Sequence, residues 1–116
     1  MKDFILYPEA LELKQLGFDE PCFGAFIDKE FKFFDFSNDL NGYVNDKNLI
    51  IGAPTYSQAF RWFREKYNLH QFIEYIEVAE RYDWWVRHYM RHTKTYEEAE
   101  LACLRRLIKL VKENQK

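Results

Sequence analysis

Hydrophobic positions follow two regimes along the chain. Up to Ala53 they come in short bursts cut by turn formers, because all four glycines (17, 24, 42, 52) and all three prolines (8, 21, 54) precede Thr55. Beyond Thr55 nothing interrupts the pattern. In the first half, Pro8 suits the opening turn of a helix and Gly17 a left-handed stop, with Ala10, Leu11, Leu13 and Leu16 as the apolar side between them. Residues 23–27 and 31–36 are aromatic-rich runs separated by Asp28-Lys29-Glu30, the pattern of a β-hairpin with a short polar turn. Residues 37–48 hold seven Asn, Asp and Gly residues and read as the longest loop.

In the second half, Thr55 with Gln58 and Thr95 with Glu98 each match a capping box, in which a hydroxyl and a side chain three residues on satisfy each other's backbone amides. The first opens a helix with Tyr56, Ala59, Phe60, Phe63 and Tyr67 on one side and Arg61, Arg64 and Glu65 on the other, ending at Asn68. The second opens a helix running to about residue 114, acidic at its start and basic later, as its dipole favours. Between them, residues 70–78 and 82–91 are rich in Ile, Val, Tyr and Trp and read as a second hairpin turning at 79–81. A continuous helix is the rival, since Tyr82, Trp85, Val86 and Tyr89 also match helical spacing. As one strand, the second run places Arg81, Asp83, Trp85, Arg87, Tyr89 and Arg91 on one face and Tyr82, Trp84, Val86, His88 and Met90 on the other. The expected fold is α+β, ordered α-β-β-α-β-β-α, with an antiparallel sheet of two hairpins and helices packed mainly on one face. Tyr-x-[Glu/Gln]-Ala recurs at residues 7, 56 and 96; shared helix-start chemistry accounts for it.

Composition narrows the class. The 116 residues, 47% hydrophobic and 31% charged, suit one domain (1–116) that buries its own core, and no apolar run approaches the roughly 20 residues of a membrane span. Two cysteines are too few for a secreted disulfide scaffold, so a cytoplasmic setting without membrane attachment is expected.

Three motifs carry a resemblance: Leu16-Gly17-Phe18-Asp19-Glu20-Pro21-Cys22-Phe23; Ala53-Pro54-Thr55 opening a helix with Trp62-Phe63-Arg64-Glu65-Lys66; and Thr95-Tyr96-Glu97-Glu98-Ala99. In that order the chain resembles small uncharacterised proteins carried by phages and prophages of Bacteroides-type gut bacteria. The resemblance implies a setting, the cytoplasm of a bacterial host, and no catalytic motif.

Chemistry can then be weighed residue by residue. His88-x-x-x-His92 would place both rings toward one metal on a helix, but on a strand the two lie about 13 Å apart, so no metal site is expected. Cys103 shares a stripe with Ala99, Leu107 and Leu110 and reads as core; Cys22 follows Pro21 at a strand start and reads as buried. No G-x-S-x-G, nucleotide fingerprint or phosphate loop occurs, and the acidic pairs Asp19-Glu20 and Glu97-Glu98 suit a loop and a helix start. Neither an enzyme nor a cofactor is expected.

Charge is uneven. Residues 1–50 hold 5 Lys and 10 acids, residues 51–116 hold 12 Lys and Arg and 9 acids, and all seven arginines lie in the second part. Arg81, Trp85, Arg87, Tyr89 and Arg91 are the candidate binding residues, because arginine and aromatics dominate protein interfaces and also hold phosphates and bases. A pI near 5.9 makes nucleic acid the less favoured partner. Leu101, Leu104 and Ile108 widen the last helix's apolar arc, so that helix either lies between core layers or associates with a second chain, a homodimer being the commonest case. The expected function is a non-catalytic phage accessory protein that binds a host or phage protein, a host-defence component included. The alternative is a binder of nucleic acid or a phosphorylated small molecule through the Arg/aromatic face.

Overall fold

A computed structural model describes residues 3–34, 42–45 and 50–114, and these form two compact units that divide after Tyr56. In the first, Pro8 lies in the opening turn of α1 (Tyr7–Gln15). The helix ends in a Schellman motif: Gly17, at φ 95°, donates its N–H to Lys14 O at 3.1 Å and Phe18 donates to Leu13 O at 3.0 Å, with Leu13 and Phe18 both buried. Strands β1 (Gly24–Ile27) and β2 (Glu30–Phe33) form the expected hairpin, and its two-residue turn has positive φ at both Asp28 and Lys29, the mirror-image geometry that matches strand twist.

A third strand, β3 (Ile50–Ala53), was not expected. It pairs antiparallel with β1 on the edge opposite β2, giving the order β2-β1-β3. Of the expected loop, residues 37–41 and 46–48 lie outside the described residues. Within 42–45, Cys22 and Tyr43 form a bridge, and Asn45 donates to Phe18 O and accepts from the Gly52 amide, both at 2.7 Å. On one face of this sheet the Phe31 ring lies over Gly24, where an added Cβ would come within 2.5 Å of the ring, so that strand position admits only glycine without repacking.

The second unit holds most of α2 (Tyr56–Tyr67), a sheet of β4 (Gln71–Ile76), β5 (Arg81–Val86) and β6 (Tyr89–Thr93), and α3 (Tyr96–Asn114). Helix α2 buries Tyr56, Ala59, Phe60 and Phe63 as expected, together with Trp62. It stops at Asn68, whose φ of 53° lets its N–H reach Arg64 O at 3.0 Å. The capping box of α3 is formed: Thr95 Oγ1 accepts from the Glu98 amide and Glu98 Oε1 accepts from the Thr95 amide, both at 3.1 Å. The α+β class holds. Its single sheet of two hairpins is corrected to two separate three-stranded antiparallel sheets, the second ordered β4-β5-β6. The strand order differs between the sheets, so the recurring Tyr-x-[Glu/Gln]-Ala does not mark a structural repeat.

The expected strand over 82–91 is in fact two strands. Val86 pairs with Tyr89 across a two-residue turn, Arg87-His88, with Arg87 at φ 57°. The reversal changes which residues share a face. Tyr82, Trp84, Val86, Tyr89 and Arg91 lie on the side of α3, whose Tyr96 and Arg106 meet the rings of Tyr82 and Tyr89. Arg81, Asp83, Trp85, Met90 and His92 lie on the other side, with Phe72 and Glu74 of β4. The residues from 71 to 93 are three strands joined by a one-turn 3₁₀ helix (Glu77–Ala79) and a two-residue turn, so the rival continuous helix is set aside.

Candidate functional site

The five candidate binding residues do not form one strip. Arg81 and Trp85 sit on the sheet face away from α3, Arg87 occupies the β5–β6 turn, and Tyr89 and Arg91 lie on the face toward α3. Two distinct surfaces result, and Arg87 borders both.

On the outer face, Phe72, Trp85 and Met90 stand directly opposite one another across the three strands. Phe72 is 57% and Met90 37% exposed, and the Phe72 and Trp85 rings lie 5.4 Å apart. An open cleft of about 460 Å³ beside the row is lined by Asn68, His70, Gln71, Phe72, Trp85 and Arg87. The next row is polar: Glu74, Asp83 and His92. Arg81 Nε donates to Asp83 Oδ1 at 2.8 Å, and Asp83 is buried, so the charge of Arg81 is already answered within the sheet. Phe72 and Met90 were not singled out in the sequence; the signal for both is their cross-strand register with Trp85, which exists only once the turns are placed.

On the inner face, two guanidinium groups share one ring. Arg106 Cζ lies 3.9 Å and Arg91 Cζ 4.3 Å from the centroid of Tyr89. Each such contact contributes about 0.5–2 kcal/mol, rising with desolvation, but two like charges on one ring also repel each other. No carboxylate pairs with Arg87, Arg91 or Arg106 among the described residues. Arg91 donates to Met90 O at 2.7 Å, whereas Arg106 Nε is buried with no hydrogen-bond partner, an omission that costs roughly 1–3 kcal/mol. Trp84, opposite Arg91 in register and 5.7 Å from the Tyr89 ring, also carries a buried Nε1 without a partner. A second open cleft, about 350 Å³, is lined by Val86, Arg87, His88, Tyr89, Arg106 and Leu110. The sequence had shown Arg106 only as a late cation suited to the helix dipole. The stronger signal was its placement three residues after Cys103 and four before Leu110, beside the buried stripe.

The remaining candidates fall out on burial. Leu104 is 0% and Ile108 6% exposed, and Leu101 is half-buried, so the expected homodimer surface on α3 is corrected: Leu104 and Ile108 are already covered within the chain. His88 lies in the turn and His92 on β6, and no group of three or more His, Cys, Asp or Glu side chains among the described residues could hold a metal. Cys22 and Cys103 are buried free thiols. Burial pushes each up to about 12, with Glu20 adding to the rise at Cys22 and Glu100 at Cys103, so both are protonated at neutral pH and poor nucleophiles. Burial raises Tyr96 as well, Glu100 and Cys103 adding to it. Among the described residues no helix is long and apolar enough to cross a membrane. No protein-family model matches the chain, and no curated protein or solved structure is significantly similar to it.

Proposed function

We propose that the protein is a non-catalytic accessory factor of a phage or prophage that acts in the bacterial cytoplasm by binding another protein through the outer face of its second sheet. The observation that carries this reading is the row Phe72–Trp85–Met90: a half-buried tryptophan flanked by exposed apolar side chains on the face that α3 leaves uncovered. Aromatic anchors with a charged rim are how interfaces concentrate binding energy, and Arg87 at the turn supplies such a rim. The protonated, buried state of both cysteines supports a binding role over nucleophilic catalysis. The partner is a host or phage protein with a complementary apolar surface, a host-defence component being the class that the phage setting favours.

The test uses a photo-reactive phenylalanine analogue at position 72 and, as a control, at the exposed Lys109 of α3. In lysate of a phage-infected gut bacterium of the Bacteroides type, position 72 should yield one dominant protein adduct that position 109 does not. The Trp85→Ala, Met90→Gln background should abolish it. No adduct at 72, or the same adducts at both positions, would count against the outer face.

A further inference from the structure

Independently of the outer face, we infer that Arg87 and Arg106, with the Tyr89 ring that Arg91 also contacts, form a binding site for the phosphate group of a small molecule in the cleft beside the β5–β6 turn. Three observations converge. First, Arg91 and Arg106 share one ring and Arg87 lines the same cleft as Arg106, with no carboxylate to answer any of the three among the described residues, although elsewhere Arg61, Arg81 and Lys109 each face an acid. Folding alone gives no reason to collect like charges around a single ring; binding of a dianion would, and planar N–H forks match phosphate oxygens. Secondly, Arg106 Nε is buried and unpartnered, so a donor has been taken out of water with nothing in the chain to receive it. Its guanidinium is nevertheless held in place by the Tyr89 ring at 3.9 Å, which pre-orients its fork. Thirdly, the cleft that Arg106 and Tyr89 line is also lined by the polar Arg87 and His88 and by the apolar Val86 and Leu110, so it offers both kinds of contact. At about 350 Å³ it lies at the lower end of the range for small-ligand sites, the scale of a mononucleotide.

The same features favour a small phosphorylated ligand over a nucleic-acid strand. The chain carries a net charge of −2, and Arg87 and Arg106 meet at one cleft instead of tracking a groove. The guanidinium groups of Arg91 and Arg106 already lie over the Tyr89 ring, so that ring positions cations and is not a platform for bases.

Isothermal titration calorimetry of the full chain with inorganic phosphate, inorganic sulfate, uridine monophosphate and a single-stranded dodecanucleotide tests the inference. Saturable binding of the mononucleotide, weaker binding of phosphate, and a loss of affinity of about tenfold in each of Arg87→Asn and Arg106→Gln are expected. Arg87→Asn is chosen because asparagine tolerates the left-handed backbone of that turn, so loss of binding there is not loss of fold. Circular dichroism melts of both variants verify that they are folded, and the Phe72→Gln, Met90→Gln variant should bind the mononucleotide as the parent does. The inference is overturned by an absence of saturable binding up to about 10 mM mononucleotide, by affinity unchanged in Arg87→Asn and in folded Arg106→Gln, or by an oligonucleotide that binds far more tightly than the mononucleotide.

Discussion

Arg87 is the residue on which the reading of this chain turns. Its φ of 57° lies in the left-handed region, where a side chain of this kind costs about 1–2 kcal/mol relative to the usual backbone. Two-residue hairpin turns normally announce themselves with Asn or Gly, and Arg87-His88 has neither. Arginine there goes against the local backbone preference, which agrees with a use for its guanidinium. Replacing it by asparagine should leave stability unchanged or raise it by up to about 1 kcal/mol, read as the midpoint of urea unfolding. A fall of more than about 1 kcal/mol would mean that the guanidinium stabilises the fold through its own contacts. The missing turn signal is also why alternation alone puts all five candidate residues on one face. Alternation carries through a continuous strand, and a two-residue reversal between 86 and 89 moves Tyr89 and Arg91 to the side opposite Trp85.

At the scale of elements, helix ends were the most legible part of the chain. The α3 capping box is a four-residue code, and its reciprocal hydrogen bonds form as written; Thr95→Ala should cost about 1 kcal/mol in chemical denaturation. Strand β3 was not legible. It has four residues, too few for a period to show, and its partner β1 lies more than twenty residues earlier, so nothing local marks Ile50–Ala53 as paired. The wide apolar arc of α3 is legible in the sequence, but which of its two uses applies, burial between core layers or docking of a second chain, is not. A helix buried over a broad arc and one that docks a second copy have the same sequence pattern, and burial of Leu104 and Ile108 within the chain distinguishes them. Leu104→Ala should accordingly destabilise by about 2–5 kcal/mol, by the same amount at micromolar and at tenfold higher protein concentration. A concentration-dependent loss would restore the dimer reading.

For the whole molecule, the two buried thiols make stability depend on alkaline pH. A thiol whose ionisation is pushed up by burial stabilises the fold fully below its ordinary value of 9.0 and loses that contribution as pH climbs toward about 12. The loss amounts to about 1 kcal/mol per thiol by pH 10. Unfolding free energy measured between pH 8 and pH 10.5 should fall more steeply for the parent than for the Cys22→Ala, Cys103→Ala variant. Equal slopes would show that the thiols ionise as easily in the folded chain as in the unfolded one. One cysteine lies in each compact unit, Cys22 in the first and Cys103 in the second.

The sequence by itself determined the α+β class, the three helices with the stops at Gly17 and Asn68 and the capping box of α3, the first hairpin and its turn, and the burial of both cysteines. Each rests on interactions within a few residues or on a period long enough to read. Only the tertiary structure decided that there are two sheets, that Trp85 joins Phe72 and Met90 while Tyr89 and Arg91 join Arg106, and that Leu104 and Ile108 are covered. Those outcomes depend on strand register across turns and on partners far along the chain. A guanidinium in the third helix and a tyrosine seventeen residues earlier are brought onto one ring by the fold, and no local pattern encodes that meeting.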